Sequence, residues 1–477
     1  LRPPLRAGGA SPSGGDAVVV LAVLLPVVFG ALLLLGLPRA LGVLGAGLSF
    51  LLNLYLFLTH PGGVAHAFQA PLLPGAGVYW AFGLDGLSAL FFLTIALTVF
   101  LGALVARVEG RFLGLALLME GLLLGLFAAR DLLVFYVFFE AALIPALLML
   151  HLYGGEGRTR ALYTFVLFTL VGSLPMLAAV LGARLLSGSP TFLLEDLLAH
   201  PLQEEAAFWV FLGFALAFAI KTPLFPLHAW LPPFHQENHP SGLADALGTL
   251  YKVGVFAFFL APEGFAQAQG LLLFLAALSA LYGAWVAFAA KDFKTLLAYA
   301  GLSHMGVAAL GVFSGTPEGA MGGLYLLAAS GVYTGGLFLL AGRLYERTGT
   351  LEIGRYRGLA QSAPGLAALA LILFLAMVGL PGLSGFPGEF LTLLGAYKAS
   401  PWLAALAFLS VIASAAYALT AFQKTFWEEG GSGVKDLAGA EWGFALLSVL
   451  ALLLMGVFPG YFARGLHPLA EAFAKLL

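Results

Sequence analysis

Fourteen mostly apolar stretches fill this chain from residue 17 to residue 460, each close to the roughly 20 residues needed to cross the hydrocarbon of a bilayer. They are read at 17–36, 40–59, 84–106, 112–129, 132–152, 161–186, 206–227, 241–261, 270–290, 296–314, 319–343, 364–397, 401–424 and 441–460. None alternates with the two-residue period of a barrel strand, and inside lipid a span must satisfy its own backbone groups, so an all-α, polytopic membrane protein is expected. With 61% hydrophobic and 10% charged residues, the chain holds more apolar side chain than a soluble domain buries. Its 22 Lys and Arg against 24 Asp and Glu leave no basic surface for nucleic acid. The absence of Cys excludes disulfides, thiolate-held iron–sulfur clusters and covalently attached haem. Residues 1–16, rich in Gly, Pro and Ser, are expected to be disordered; the apolar run after them is too long for a signal peptide and is read as an uncleaved first span.

Thirteen Lys and Arg follow odd-numbered spans, whereas seven lie on the side that holds both termini. Basic residues accumulate on the cytoplasmic face. The odd loops are therefore placed in the cytoplasm of a bacterial inner membrane and both termini outside. The two remaining lysines, Lys221 and Lys252, fall inside apolar stretches. A charge at the bilayer centre costs about 2.5–3.5 kcal/mol on insertion scales, so it is paired, hydrated or functional. Glu120, Glu140, Asp245, His304 and Glu389 lie at similar depth. Transporters and proton relays use such residues.

An internal repeat points the same way. Ala129-Arg130-Asp131 opens the fifth span and Ala290-Lys291-Asp292 the tenth at an offset of 161, and Phe225-Pro226 recurs as Phe386-Pro387 at the same offset. An offset of five spans turns the second copy over, which predicts inverted repeats. The expected organisation is a disordered segment 1–16, spans one to three over 17–111, a first repeat (spans four to eight) over 112–261, a second (nine to thirteen) over 270–424, and a last span with its tail over 441–477. Each copy carries a span interrupted by prolines, Pro223 and Pro226 in the seventh, Pro381 and Pro387 in the twelfth. Proline removes a backbone donor and frees a carbonyl one turn earlier. Broken helices at membrane depth line polar cavities.

Five segments are distinctive: Phe138-Phe139-Glu140 with Ile144-Pro145; Lys221-Thr222-Pro223-Leu224-Phe225-Pro226-Leu227-His228-Ala229-Trp230-Leu231-Pro232; Lys252, 31 residues after Lys221; Asp292-Phe293-Lys294 with Tyr299 and Ser303-His304-Met305-Gly306; and Gly379-Leu380-Pro381 running to Gly388-Glu389-Phe390. Together they resemble the antiporter-like membrane subunits of respiratory complex I over nearly the whole chain. Glu rather than Lys at 389, and an end soon after the fourteenth span, resemble the M-type members, equivalent to mitochondrial subunit 4. Two departures stand out. Leu231-Pro232-Pro233-Phe234-His235 replaces the family's Leu-Pro-Asp-Ala-His, and Ser330 stands where the family has His.

The resemblance implies a proton-translocating subunit of an NADH:quinone oxidoreductase. Flavin, iron–sulfur clusters, NADH and quinone would belong to partner subunits, with no cofactor in this chain. Homologous antiporter-like subunits and lipids are the implied partners, and protons and water are what it handles. Subunits of multisubunit sodium/proton antiporters and of membrane-bound hydrogenases share these motifs and are the alternatives. A haem carrier using His151, His228 or His304 lacks a facing pair of ligands.

A carboxylate near a buried lysine favours the charged lysine, so moving its influence on and off switches the lysine between holding and releasing a proton. The resemblance assigns that pair to Glu140 and Lys221, has Lys252 receive the proton, and has Glu389 pass it outward. His228 and His304 are intermediates alongside water. Structural roles compete with each of these. Glu140 and Lys221 suit a static ion pair, Lys252 a cavity lining, Glu389 the N-cap of a resumed half-helix, His304 a hydrogen bond between helices, and His228 a cap on the proline break. Asp245 tunes Lys252 through water or bonds the loop after the seventh span. Glu120 has no evident partner, and His235 sits in the departing segment. Arg130-Asp131 and Lys291-Asp292 read as interfacial anchors.

Overall fold

The computed structural model describes residues 14–250, 262–430 and 433–474. Lys252 and the rest of 251–261 lie outside the described residues, as do 1–13 of the expected disordered start. The chain runs through β1 (Gly14–Gly15), α1 (Val18–Leu34), α2 (Arg39–Leu58), β2 (Ala65–Leu73), β3 (Val78–Leu84), α3 (Gly86–Val105), α4 (Gly110–Ala128), α5 (Leu132–Tyr153), α6 (Arg158–Leu185), α7 (Leu194–Ala199), α8 (Glu204–Lys221), α9 (Leu231–Glu237) and α10 (Leu243–Gly248). It continues with α11 (Pro262–Ala289), α12 (Phe293–Val312), α13 (Pro317–Thr348), α14 (Leu359–Ser362), α15 (Pro364–Val378), α16 (Gly385–Ala399), α17 (Pro401–Phe422), α18 (Ala440–Val457), α19 (Pro459–Phe462) and α20 (His467–Ala474). Among the described residues, ten helices are long and apolar enough to cross a membrane. The fold is an all-α polytopic bundle with one small antiparallel sheet at its edge, ordered β1-β2-β3.

Burial sorts the helices into an interior and a shell. The whole membrane-crossing stretch of α13 is buried, against 28% of that of α18. On the shell, Tyr163, Trp285, Trp402 and Leu446 are exposed. Such a surface suits lipid, where large apolar side chains need no cover.

Polar side chains start the helices where the apolar runs begin. Asp85 and Ser88 form a reciprocal capping box on α3, with each side chain bonded to the other's backbone N–H. Asp131 accepts from Leu133 and Val134 N–H, and Asp292 from Thr295 N–H. The aspartates of the two similar triplets, Ala129-Arg130-Asp131 and Ala290-Lys291-Asp292, are therefore N-caps, and both form a lone antiparallel bridge to a later loop, Asp131 to Leu193 and Asp292 to Glu352.

The loops gather into two sets. Arg39 donates to the carbonyls of Ala106 and Val108, Arg107 pairs with Glu346 at 2.6 Å, and Arg347 with Glu441 at 2.6 Å, which ties together the ends of α3, α13 and α18. In the other set, Arg130 N–H donates to Ala81 O in β3, Asp131 accepts from Tyr79 N–H, and Arg464 stacks on Phe57.

Two helices are broken as the prolines suggested. α8 stops at Lys221, and 222–230 holds Pro223 and Pro226. The freed groups are met: Trp230 Nε1 donates to Ile220 O at 2.7 Å, and Ser279 Oγ accepts from Phe225 N–H at 2.7 Å. The second break, 379–384, contains Pro381 with Gly379 and Gly382 at φ +92° and +98°. Pro387 is in the first turn of α16, where no N–H is needed.

α16 lies very close to α13 because small residues face one another. A Cβ on Gly395 would sit 2.3 Å from Gly319 Cα, and one on Gly322 would sit 2.4 Å from Thr392 N. Small residues let membrane helices approach at backbone distance.

Candidate functional site

Lys221 is the last residue of α8, where the negative end of the helix dipole favours a cation. Its Nζ donates to Thr169 Oγ1 of α6 at 2.9 Å and lies 4.6 Å and 5.4 Å from the ring centres of Phe165 and Trp230. A hydroxyl and two π faces hold the ammonium without neutralising it. Glu140, on α5, is half-buried with Oε1 lacking a hydrogen-bond partner, and its charge and that of Lys221 are close enough to act on each other. A small cavity of about 40 Å³ joins Lys221 and Thr222 to His235, Thr249 and Thr334, which is room for about three waters.

His235, on the wall of that cavity, is one of three charged or titratable side chains that converge from three elements. His235 of α9 contacts Asp245 of α10 through Nδ1 and Oδ1 at 2.9 Å, and Lys294 of α12 reaches Asp245 Oδ2 at 2.8 Å. All three are nearly inaccessible. Lys294 also donates to the carbonyls of Asn238 and His239 at 2.7 and 3.1 Å, and the His235 ring stacks on Phe338 at 4.5 Å. Burial and Lys294 together push His239, in the loop between α9 and α10, below its ordinary value, with Asp245 opposing.

A second cluster lies between α12, α13, α16 and α17. His304 Nδ1 approaches Glu389 Oε1 at 3.4 Å, long for a hydrogen bond, and both are buried. Tyr333 and Tyr417 lie near enough to feel the Glu389 carboxylate, and neither hydroxyl has a partner. Four buried polar groups left this way call for water. Glu389 is not the N-cap of α16: Ser384 holds that position, and Glu389 is the fifth residue of the helix.

His228 lies elsewhere, packed among Phe225, Tyr282 and Tyr299 with Nδ1 unpartnered. Ser330, at the family's His position, bonds back to Leu327 O at 3.0 Å in its own helix. Glu120 is apart from all of these, on α4 against α2. The structure thus brings together Lys221 with Glu140, His235 with Asp245, and His304 with Glu389. From sequence alone Lys294 reads as a loop charge; its place two residues after Asp292, within the Asp292-Phe293-Lys294 motif, is the available signal of its buried role. Thr169, Tyr333 and Tyr417 carried no sequence signal.

The family model described as "NADH:quinone oxidoreductase/Mrp antiporter, TM" matches residues 129–414, from just before the α5 cap through most of α17. NADH-quinone oxidoreductase subunit 13 of Thermus thermophilus is 98% identical over 465 residues, covering 96% of this chain and 99% of that protein. Subunit M of the same enzyme from Rhodobacter capsulatus is 34% identical over 410 residues, 80% of each chain. A chain in the structure of respiratory complex I from Thermus thermophilus with bound NADH superposes with a TM-score of 0.95 at 99% identity, covering 96% of this chain and 99% of that one.

Proposed function

From the premise that this chain belongs to the NADH:quinone oxidoreductase/Mrp antiporter transmembrane family, we propose that it is an M-type antiporter-like membrane subunit of bacterial complex I and moves protons along its buried ionisable groups. One observation carries this reading: Lys221, close to Glu140, opens through a water-sized cavity onto His235, which contacts Asp245 and through it Lys294, while His304 and Glu389 form a second unsatisfied cluster. The His235–Asp245–Lys294 end borders the loops after odd spans, so it serves as the cytoplasmic entry. Lys221 loads a proton when the Glu140 carboxylate acts on it and yields it when that influence is withdrawn. Lys252 takes the proton at mid-membrane, and Glu389 with His304 releases it to the outside. No redox step is assigned to this chain; flavin, iron–sulfur clusters, NADH and quinone belong to partner subunits, and other antiporter-like subunits are its neighbours.

We read residues 112–261 and 270–424 as inverted copies, supported by the paired N-caps at Asp131 and Asp292 and by a broken helix in each. The inner membrane, with both termini outside, is the corresponding location. The test is NADH-driven proton uptake by the complete complex in vesicles. Glu140→Gln and Lys221→Ala are expected to assemble and lose most of the protons moved per quinone reduced. Near-normal uptake in either variant would remove the switch.

A further inference from the structure

A carboxyl group that no cation among the described residues neutralises sits in the N-terminal part of the bundle. Glu120, in the middle of α4, is fully buried together with Ser49 and Asn53 of α2. Ser49 Oγ donates to Glu120 Oε1 at 2.7 Å and accepts from Asn53 Nδ2 at 3.3 Å. Two buried oxygens of the same cluster then have no hydrogen-bond partner, Glu120 Oε2 and Asn53 Oδ1.

Among the described residues, no cation faces them. α1 and α3 carry no ionisable side chain. The one basic residue of α2 is Arg39 at its start, held by the carbonyls of Ala103, Ala106 and Val108, and that of α4 is Arg111 in its first turn. α5 and α10, which also pack on α4, contribute Glu140 and Asp245, of the wrong sign, and His151 only in the last turn of α5. Arg130, past the end of α4, pairs with Asp85.

Two buried acceptors on side chains joined through the same serine, one of them an anion, are costly to leave unmet. A single proton removes both defects. On Oε2 it makes Glu120 a neutral carboxyl that donates to Asn53 Oδ1, directly or through one water. The bonds then close into a ring: Asn53 Nδ2 to Ser49 Oγ, Ser49 Oγ to Glu120 Oε1, and Glu120 Oε2 back to Asn53. We propose that Glu120, Ser49 and Asn53 form a proton-binding site that stays occupied throughout turnover and pins α2 to α4. Its proton is held in place and takes no part in pumping.

The complete complex carrying Glu120→Gln tests this. Gln keeps an oxygen for Ser49 and offers an N–H to Asn53 Oδ1, so it mimics the occupied site. Assembly, thermal midpoint and protons moved per quinone reduced are expected to stay at wild-type values, whereas Glu120→Ala lowers the thermal midpoint. Infrared spectra of the wild-type complex should show a protonated-carboxyl band that is missing from Glu120→Gln and is the same at rest and during turnover. Loss of pumping in assembled Glu120→Gln, or absence of that band, overturns the proposal. A thermal midpoint that rises with sodium at constant ionic strength in wild type but not in Glu120→Gln also overturns it, by making sodium the occupant.

Discussion

Asp245 accepts one contact from His235 and one from Lys294, so it works as the junction of a buried charge network. Removing one partner of a buried ion pair strands the other in low dielectric. Lys294→Met is therefore expected to destabilise the subunit by about 3 kcal/mol, the low end of such losses, because Asp245 keeps its contact with His235. Adding Asp245→Asn removes the stranded charge and should recover most of that loss in the thermal midpoint of the complex. No recovery in the double variant would mean that the pair is not the source of the stability. Glu389 gives a second prediction at this scale. It caps nothing and faces His304, so Glu389→Asp, which keeps a titratable group, should retain substantial pumping per assembled complex, while Glu389→Gln should lose most of it.

At the scale of elements, α16 carries Glu389 to His304 only because α13 lets it come so near. Gly395→Ala puts a methyl group where Gly319 Cα already stands, and overpacking of this kind costs about 1–3 kcal/mol. The expected result is a lower thermal midpoint together with reduced pumping, since the displaced helix takes Glu389 from its partner; unchanged pumping at reduced stability would separate the two. At the edge of the bundle, Asp436 accepts from Gly365 and Leu366 N–H at the start of α15, at 3.0 and 2.9 Å. Burial raises its carboxyl, but these bonds, that of Leu437 and the Arg347 charge outweigh it and hold the group below the usual carboxylate range. A lowered folded value gives stability that is present above the unfolded value and fades as pH falls through the folded one. Asp436→Asn should thus cost under about 1 kcal/mol at neutral pH after solvent screening, a cost that fades as pH falls below the ordinary carboxylate range. A mutational cost that does not vary with pH would show that the charge contributes nothing there. Prolines show why element boundaries resist reading from sequence. Pro145 and Pro175 lie inside unbroken α5 and α6, whereas Pro223 and Pro226 end α8, because neighbouring helices can accommodate one missing donor but not a pair three residues apart.

For the whole molecule, the segregation of the loops into two connected sets makes sidedness testable, and the absence of native Cys makes the test clean. In intact cells, an impermeant thiol reagent should label Gly75→Cys, in the turn between β2 and β3, and spare Gly433→Cys, which should react only after the cytoplasmic face is opened. The opposite pattern would invert the orientation and the direction assigned to transport. Much of this could be read from residue order alone. Long apolar runs force helices, because lipid offers backbone groups no partner, and Lys221, Glu140 and Glu389 announced themselves through the cost of a charge in such a run. The sheet at 65–84 escaped notice because its strands are short, half-buried and shaped by the ends of neighbouring helices. Lys294 escaped because a lysine beside a helix start looks the same in sequence whether it faces water or a buried aspartate two elements away. Sequence by itself determined that the chain is an all-α membrane bundle with charges trapped inside it, since that follows from the local balance of apolar surface and backbone hydrogen bonds. Which polar groups meet was decided only by tertiary structure: the His235–Asp245–Lys294 junction, the His304–Glu389 contact with its two tyrosines, and the Ser49–Glu120 bond each draw on at least two helices, and a contact of a few ångströms between distant segments is set by packing, not by spacing along the chain.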